Sequence, residues 1–250
     1  MNLKSKNSQP KVSVVIPAYN EEVLLPSTLN SLKNQDYQDI YEVIICDNNS
    51  TDKTASIAKR FGAKVVMEKR KGTSYAYDTG MRAASGELIL VTNADTLLPY
   101  NWISSIVKAY DNNSNLVAVG TAVKFYNAPI WVNQIMNILD LINPVKAMWG
   151  VSMSCRRWSF YQAGGFLQGV NTNEDALFTL KLKKLGKFKI LKDVVVEMDG
   201  RRFNNGTINA IKAWRDGFGG NSLAILLNYM FTKEIKGATN NFEDIRKPTN

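Results

Sequence analysis

The apolar residues of this chain follow two rhythms. Short continuous runs at 12–16, 41–46, 64–67 and 87–92 are rich in β-branched residues and read as strands buried on both faces. Between them lie stretches with helical spacing: 21–35 through Leu24, Leu25, Leu29 and Leu32; 53–61, closed by Gly62; and 74–84, stopped by Ser85 and Gly86. Strand and helix thus alternate through the first hundred residues. That alternation predicts an α/β fold with a mostly parallel, Rossmann-like central sheet flanked by helices. Ligands in such sheets bind at the carboxyl ends of the strands, where Asn20, Asp47 and Asp95 stand.

The second half is less regular. Strands are expected over 116–124, 151–156 and 188–196, and helices over 158–163 and 176–185, the latter closed by Gly186. A long apolar helix is expected over 129–148. Trp131, Ile135, Ile138, Leu139 and Ile142 fall on one of its faces, with Lys146 and Trp149 following. Such a stripe suits either the protein's own core or a membrane surface. The positive charge of the chain tilts the expectation toward anionic lipid. No internal repeat is present.

Lysine and arginine number 31 against 22 acids, a net charge of +9, and there is no histidine. Histidine-based zinc sites and Ser-His-Asp or Cys-His catalysis are therefore excluded. Acid–base work falls to Asp, Glu, Lys, Tyr or Cys. Two cysteines make no disulfide framework, and Cys46, at the end of an apolar run, is expected to be buried. The basic balance suits anionic partners, but no basic-aromatic module points to nucleic acid. With no apolar leader and no apolar run of about 18 residues, the expected location is cytoplasmic, peripheral on the inner face of the cell membrane.

Five polar clusters carry candidate chemistry, each beside a plainer reading. Asp47 to Asp52 could cap a helix, or Asp47 could accept from a nucleotide base. The stretch 71–80, with Lys71, Gly72, Asp78 and Gly80, could be a capped helix or approach a ligand through its glycines. Asn93-Ala94-Asp95 could be a turn. After a fully apolar strand at the ligand edge, its carboxylate also suits Mg²⁺ or Mn²⁺. Glu174 and Asp175 could simply complement a helix dipole, or supply a general base. Arg201 and Arg202 could be surface residues, or forks for phosphate.

Three stretches stand in a fixed order: Val12-Ser13-Val14-Val15-Ile16-Pro17-Ala18-Tyr19-Asn20-Glu21-Glu22, then Thr92 to Thr96, then Gly165-Phe166 with Asn173-Glu174-Asp175-Ala176-Leu177-Phe178. Together they resemble the family-2 glycosyltransferases with the GT-A fold, over about residues 12–203. The resemblance implies a GT-A domain over 11–205, with a nucleotide-binding half at 11–98 and an acceptor half at 99–205. It would lie between a flexible N-terminus at 1–10 and a helical C-terminal extension with a polar tail at 206–250. It implies transfer of a sugar, with inversion, from a nucleoside diphosphate sugar to an acceptor hydroxyl on a glycan or lipid-linked glycan, with uridine ahead of guanosine.

By the same resemblance, donor contacts fall to Pro17, Tyr19, Glu21, Asp47, Lys71, Gly72, Asp78, Asn93, Ala94, Asp95, Arg201 and Arg202. Asp95 would hold a divalent metal, Mn²⁺ or Mg²⁺. Asp175 would be the base, with Trp149, Gly165 and Glu174 on the acceptor side. Two departures stand out: Asn93 replaces the first Asp of the usual Asp-x-Asp, and Asp78 replaces an Asn. They leave a non-catalytic sugar-nucleotide-binding protein as the rival. A nucleotidyltransferase would open with a Gly-rich loop, which Pro17-Ala18-Tyr19-Asn20 lacks.

Overall fold

The apolar runs become the strands of one eight-stranded sheet. The computed structural model describes residues 10–142, 147–170 and 173–204. Its strands are β1 (Val12–Ala18), β2 (Ile40–Asp47), β3 (Lys64–Met67), β4 (Leu88–Thr92), β5 (Thr96–Leu97), β6 (Leu116–Tyr126), β7 (Ser152–Arg156) and β8 (Lys187–Asp199), in the spatial order β3-β2-β1-β4-β7-β6-β8-β5. The first four strands pair in parallel, as expected. β7 runs antiparallel to both β4 and β6, β6 and β8 are parallel, and β5 pairs antiparallel with β8.

Alternate residues of the central strands point to opposite faces, and both faces are buried. Val14, Ile16, Ile45, Leu88 and Leu90 face one core, with helices α1 (Leu25–Lys33), α2 (Thr54–Arg60) and α4 (Trp102–Asn112). Val15, Ile44, Ile89 and Val91 face the other, with α3 (Thr73–Arg82), α6 (Arg157–Gln162) and α7 (Glu174–Lys183). This is why the strands read as unbroken apolar runs. Cys46 and Cys155 are both buried and free. Helix α4 is not among the elements expected from the pattern, although Trp102, Ile103, Ile106, Val107 and Tyr110 repeat at helical spacing and are buried.

The long apolar helix is α5, Ile130–Ile142, shorter than expected; residues 147–150 are not helical, and 143–146 lie outside the described residues. Its proposed membrane-facing stripe is corrected in part. Val132 and Met136 are buried, and Trp131 packs against the first core. The cause is Asn133, whose amide donates to the Phe125 carbonyl and whose Oδ1 accepts from the Phe125 N–H, both at 2.8 Å, pinning α5 to β6. Among the described side chains of α5, Ile130 and Ile138 are the exposed apolar ones. The side chains of Leu139 and Ile142, the N-terminal tail and the expected C-terminal extension lie outside the described residues. Among those described, no helix is long and apolar enough to cross a membrane.

Asp78 also takes a place other than the one expected. Its Oδ1 accepts from the Phe166 N–H at 3.0 Å and its Oδ2 from Arg82 Nε at 2.7 Å. Gly165, at φ +67°, lies against this carboxylate with no room for a Cβ, and its carbonyl accepts from Lys181 Nζ. Both oxygens of Asp78 thus serve a clasp between α3 and the 164–166 turn. That carboxylate and Gly165 therefore have a structural role in the fold. The buried Phe166 N–H depends on it. Asp78→Ala is expected to lower unfolding free energy by about 1–3 kcal/mol, the cost of a buried donor without an acceptor. Asp78→Asn, which keeps an acceptor oxygen, should lose less. Chemical denaturation of the two variants against the wild type checks the order.

Candidate active site

Register carries the candidate residues to one edge of the sheet. Ala18 pairs with Asp47 at the carboxyl ends of β1 and β2, and Thr92 pairs with Ser152. Because β7 is antiparallel to β4, it begins where β4 ends. Trp149 and Gly150, just before β7, therefore reach the edge that holds Asn93. β8 ends there too, and the Asp199 N–H donates to the Asp95 carbonyl at 2.9 Å.

Two loops at this edge are laced together. Asn20, at φ +53°, accepts from the Thr51 N–H at 2.8 Å and donates its own N–H to Ser50 Oγ at 3.0 Å. The Glu21 N–H donates to Thr54 Oγ1 at 2.8 Å. Asp47 is buried, and its Oδ1 accepts from the Ser50 N–H at 2.9 Å. Asp47 therefore braces its own turn; α2 starts at Thr54 with Lys53 at its N-cap, so no residue of 47–52 takes the expected cap position. Pro17 and Tyr19 are half-buried at the end of β1, on either side of Ala18, the register partner of Asp47.

Asn48, which the sequence reading passed over, ties in the loop that carries Lys71 and Gly72. Its Nδ2 donates to the carbonyls of Glu68 and Arg70, at 3.0 and 2.6 Å, and its Oδ1 accepts from the Gly72 N–H at 3.0 Å. Glu68 in turn grips Arg70 at 2.7 Å and accepts from Thr79 Oγ1. The Arg70 guanidinium is the main reason that its carboxyl is held at about 2. Lys71 is exposed and Gly72 buried. An Asn after Asp47 was the one available signal for this tie, and it does not say which loop it reaches.

The second group gathers around Arg201. Its Nη2 lies 2.6 Å from Glu21 Oε1 and 3.7 Å from Asp95 Oδ2. The Arg201 N–H donates to Asp199 Oδ1 at 2.8 Å, in the 3-10 turn Arg201–Phe203. The turn at Ala94 is held from below: Thr28 Oγ1 donates to the Ala94 carbonyl at 2.8 Å and accepts from the Thr96 N–H at 3.0 Å. Two carboxylates here share one guanidinium. Asp95, buried at the strand end, offers hard oxygen to a cation and so fits a divalent metal. Among the described residues no three Asp, Glu, Cys or His side chains cluster as a metal cage, so such an ion would need ligand phosphates as well.

The third group centres on Asp175. Helix α7 begins at Glu174, two residues earlier than expected, after Asn173 at φ +57°; both acids sit in its first turn, where the dipole favours them. Asp175 Oδ2 accepts from the Gly150 N–H at 2.7 Å and Oδ1 from the Ala176 N–H at 2.7 Å. Burial raises both carboxyls, and for Glu174 the neighbouring Asp175 adds to the rise. A carboxyl raised in this way suits a general base near neutral pH.

Tyr77, also missed from the sequence, lies between the groups. Its hydroxyl donates to Asn93 Oδ1 at 2.8 Å, and a Cβ on Gly150 would come within 2.6 Å of it. Glu174, Asp175 and Asp95 all act on its phenol, as does Arg202 with the opposite sign. The structure thus brings Asn93, Gly150 and Asp175 together at one tyrosine.

The chain resembles known proteins over most of this region. Residues 13–167 match the family model described as glycosyl transferase family 2. An uncharacterized glycosyltransferase of Bacillus subtilis, YfnE, is 33% identical over 115 residues, which cover 44% of this chain and 29% of that protein. The chain spans less than half the length of the curated relatives it matches.

Among solved structures, a Pyrobaculum calidifontis mannosyltransferase, PcManGT, in complex with GDP-Man and Mn²⁺ superposes with TM-score 0.64 at 24% identity, over 89% of this chain and 69% of that one. S. aureus TarS 1–349 with UDP-GlcNAc gives 0.64 at 21% identity, over 76% and 58%. The sheet and its flanking helices are the GT-A fold.

The coupled acids set a pH dependence. A carboxyl raised on folding favours the protonated folded state. The stability it contributes is complete below the unfolded value, about 4.3 for Glu, and is lost as pH rises through the raised folded value. Glu174→Gln should therefore gain stability over the wild type at pH 8 and little at pH 4, seen as melting temperature against pH.

Proposed function

The chain belongs to glycosyl transferase family 2, and from that footing we propose that it transfers a sugar from a uridine diphosphate sugar to an acceptor hydroxyl on a glycan, with inversion at the anomeric carbon. The observation that carries this reading is the joining of two sites through Tyr77: the Asn93–Asp95 turn on one side and the Gly150-anchored Asp175 on the other. A leaving group and an attacking hydroxyl need such opposed sites. One base on the acceptor side suffices for direct displacement, and no enzyme nucleophile is needed.

In this reading Asp175 takes the proton of the acceptor hydroxyl as its oxygen attacks the anomeric carbon. Gly150 holds the carboxylate in place through its N–H. Burial keeps the proton affinity of Asp175 high. Asp47, Pro17 and Tyr19 receive the uracil and ribose, and Lys71 and Gly72 line the same end. Asp95 would hold Mn²⁺ or Mg²⁺ together with the donor's phosphates, and the ion when bound offsets the charge on the departing diphosphate. Arg201 neutralises Glu21 and Asp95 until the donor arrives, and its fork then suits phosphate oxygens. Arg202 adds positive charge on the same side. TarS with UDP-GlcNAc and the mannosyltransferase with GDP-Man and Mn²⁺ lend support by analogy to a nucleoside diphosphate sugar and a divalent ion.

The test is release of free nucleoside diphosphate from UDP-GlcNAc, UDP-glucose and GDP-mannose with Mn²⁺, with and without free and polyprenyl-diphosphate-linked glycans. Acceptor-dependent release from a UDP-sugar is expected, and proton NMR of the product should show the inverted anomer. Asp175→Asn should lose about 10²- to 10⁴-fold in turnover, the usual worth of a general base, while still binding UDP. Near-normal turnover in that variant would remove Asp175 from the mechanism. Asp95→Ala should weaken Mn²⁺-dependent UDP binding, and full activity in excess chelator would reject the metal.

A further inference from the structure

Tyr77 has the surroundings of a core aromatic at one end and of a working group at the other. Its ring is buried and stacks on Phe166 at 5.1 Å, and Phe166 stacks on Phe178 of α7 at 4.4 Å. A phenylalanine would fill that role equally well. The hydroxyl does something the ring cannot. It donates to Asn93 Oδ1, so the amide group of Asn93 is the end left to offer a donor sugar or phosphate. The same oxygen lies against Gly150: a Cβ there would meet Tyr77 Oη at 2.6 Å, Tyr77 Cζ at 3.2 Å and Asp175 Oδ2 at 3.4 Å. Gly150 is the residue whose N–H anchors Asp175. Burial, reinforced by Glu174 and Asp175, holds the phenol well above its ordinary value, so it stays a donor throughout the working range.

We propose that Tyr77 is a positioning residue for sugar transfer: its hydroxyl, seated between Asn93 and Gly150, keeps the leaving-group carboxamide and the backbone anchor of the base in one register. This rests on Asp175 being the base. The residue makes no bond to the reacting atoms and acts through Asn93 and Gly150. It answers a geometric need, since the groups it joins come from α3, the end of β4 and the turn before β7. A misplacement of about 1 Å between such groups can cost about 100-fold in rate.

Three variants of the full chain test this: Tyr77→Phe, Gly150→Ala and the double variant. In Tyr77→Phe the ring stack survives and UDP binding with Mn²⁺, by calorimetry, should be unchanged. Turnover of UDP-GlcNAc, or of whichever UDP-sugar the panel selects, should fall about 10- to 100-fold in kcat with little change in donor KM. Hydrogen–deuterium exchange should rise at the Gly150 amide and not across the rest of β7. Gly150→Ala should also lose kcat, because its methyl meets the hydroxyl. Tyr77→Phe should partly restore it, whereas two independent structural defects would add. Unchanged kcat in Tyr77→Phe, or a loss confined to UDP affinity, overturns the proposal. The exchange arm decides it even without turnover: a wild type inert toward every UDP-sugar sinks the transfer reading, and an unchanged Gly150 amide sinks this one.

Discussion

The reversed strand β7 is the constraint on which the site depends. β1, β2 and β4 all deliver their carboxyl ends to one edge, as parallel strands do. A fifth parallel strand would have started at the far edge. β7 has five residues at roughly 3.3 Å each, so the turn that precedes it would then lie roughly 17 Å away. Antiparallel pairing with Thr92 opposite Ser152 instead places Gly150 beside the Asn93 turn. From that one reversal come the anchor for Asp175 and the packing of Tyr77 against Gly150.

Charge at this edge is balanced locally, in a chain whose overall excess is positive. Glu21 and Asp95 share Arg201, and Asp199 accepts from the Arg201 backbone. Asp175 has backbone N–H groups and the start of α7 instead of a cation. The two solutions have different chemical consequences. A carboxylate facing a guanidinium stays ionised and can exchange that cation for another. A buried one held by N–H groups keeps a raised proton affinity, because the cost of burial outweighs those bonds. In a chain without histidine, that difference sets two Asp side chains in environments of different character, the basis of the metal-ligand and base roles proposed for them.

Much of this was legible in the sequence. The strands β1 to β4 and the helices between them follow from period and from Gly and Ser stops, because both faces of a central parallel strand are apolar. Asp47, Asn93, Asp95, Glu174 and Asp175 stood out because polar residues at the end of a buried run, or at a helix start, need a reason. What failed did so for local reasons. The stripe on α5 reads as one face, but Asn133 bonded to Phe125 sets which face turns inward. Asp78 sits in a stretch that resembles a donor-side element, yet its carboxylate is taken up by Arg82 and the Phe166 N–H, 88 residues further on.

The sequence by itself determined the fold class, the succession of its parallel strands along the chain and which carboxylates stand at their ends, since these depend on periodicity within ten or twenty residues. Only the tertiary structure decided how those groups are used. Arg201 meets Glu21 across 180 residues, Gly150 meets Asp175 across 25 and Tyr77 meets Asn93 across 16. Each partner looks ordinary in its own neighbourhood: a surface arginine, a turn glycine, a core tyrosine. Their roles arise from strand direction and register, which bring distant backbone to one edge, and no local pattern of apolar and polar residues encodes that.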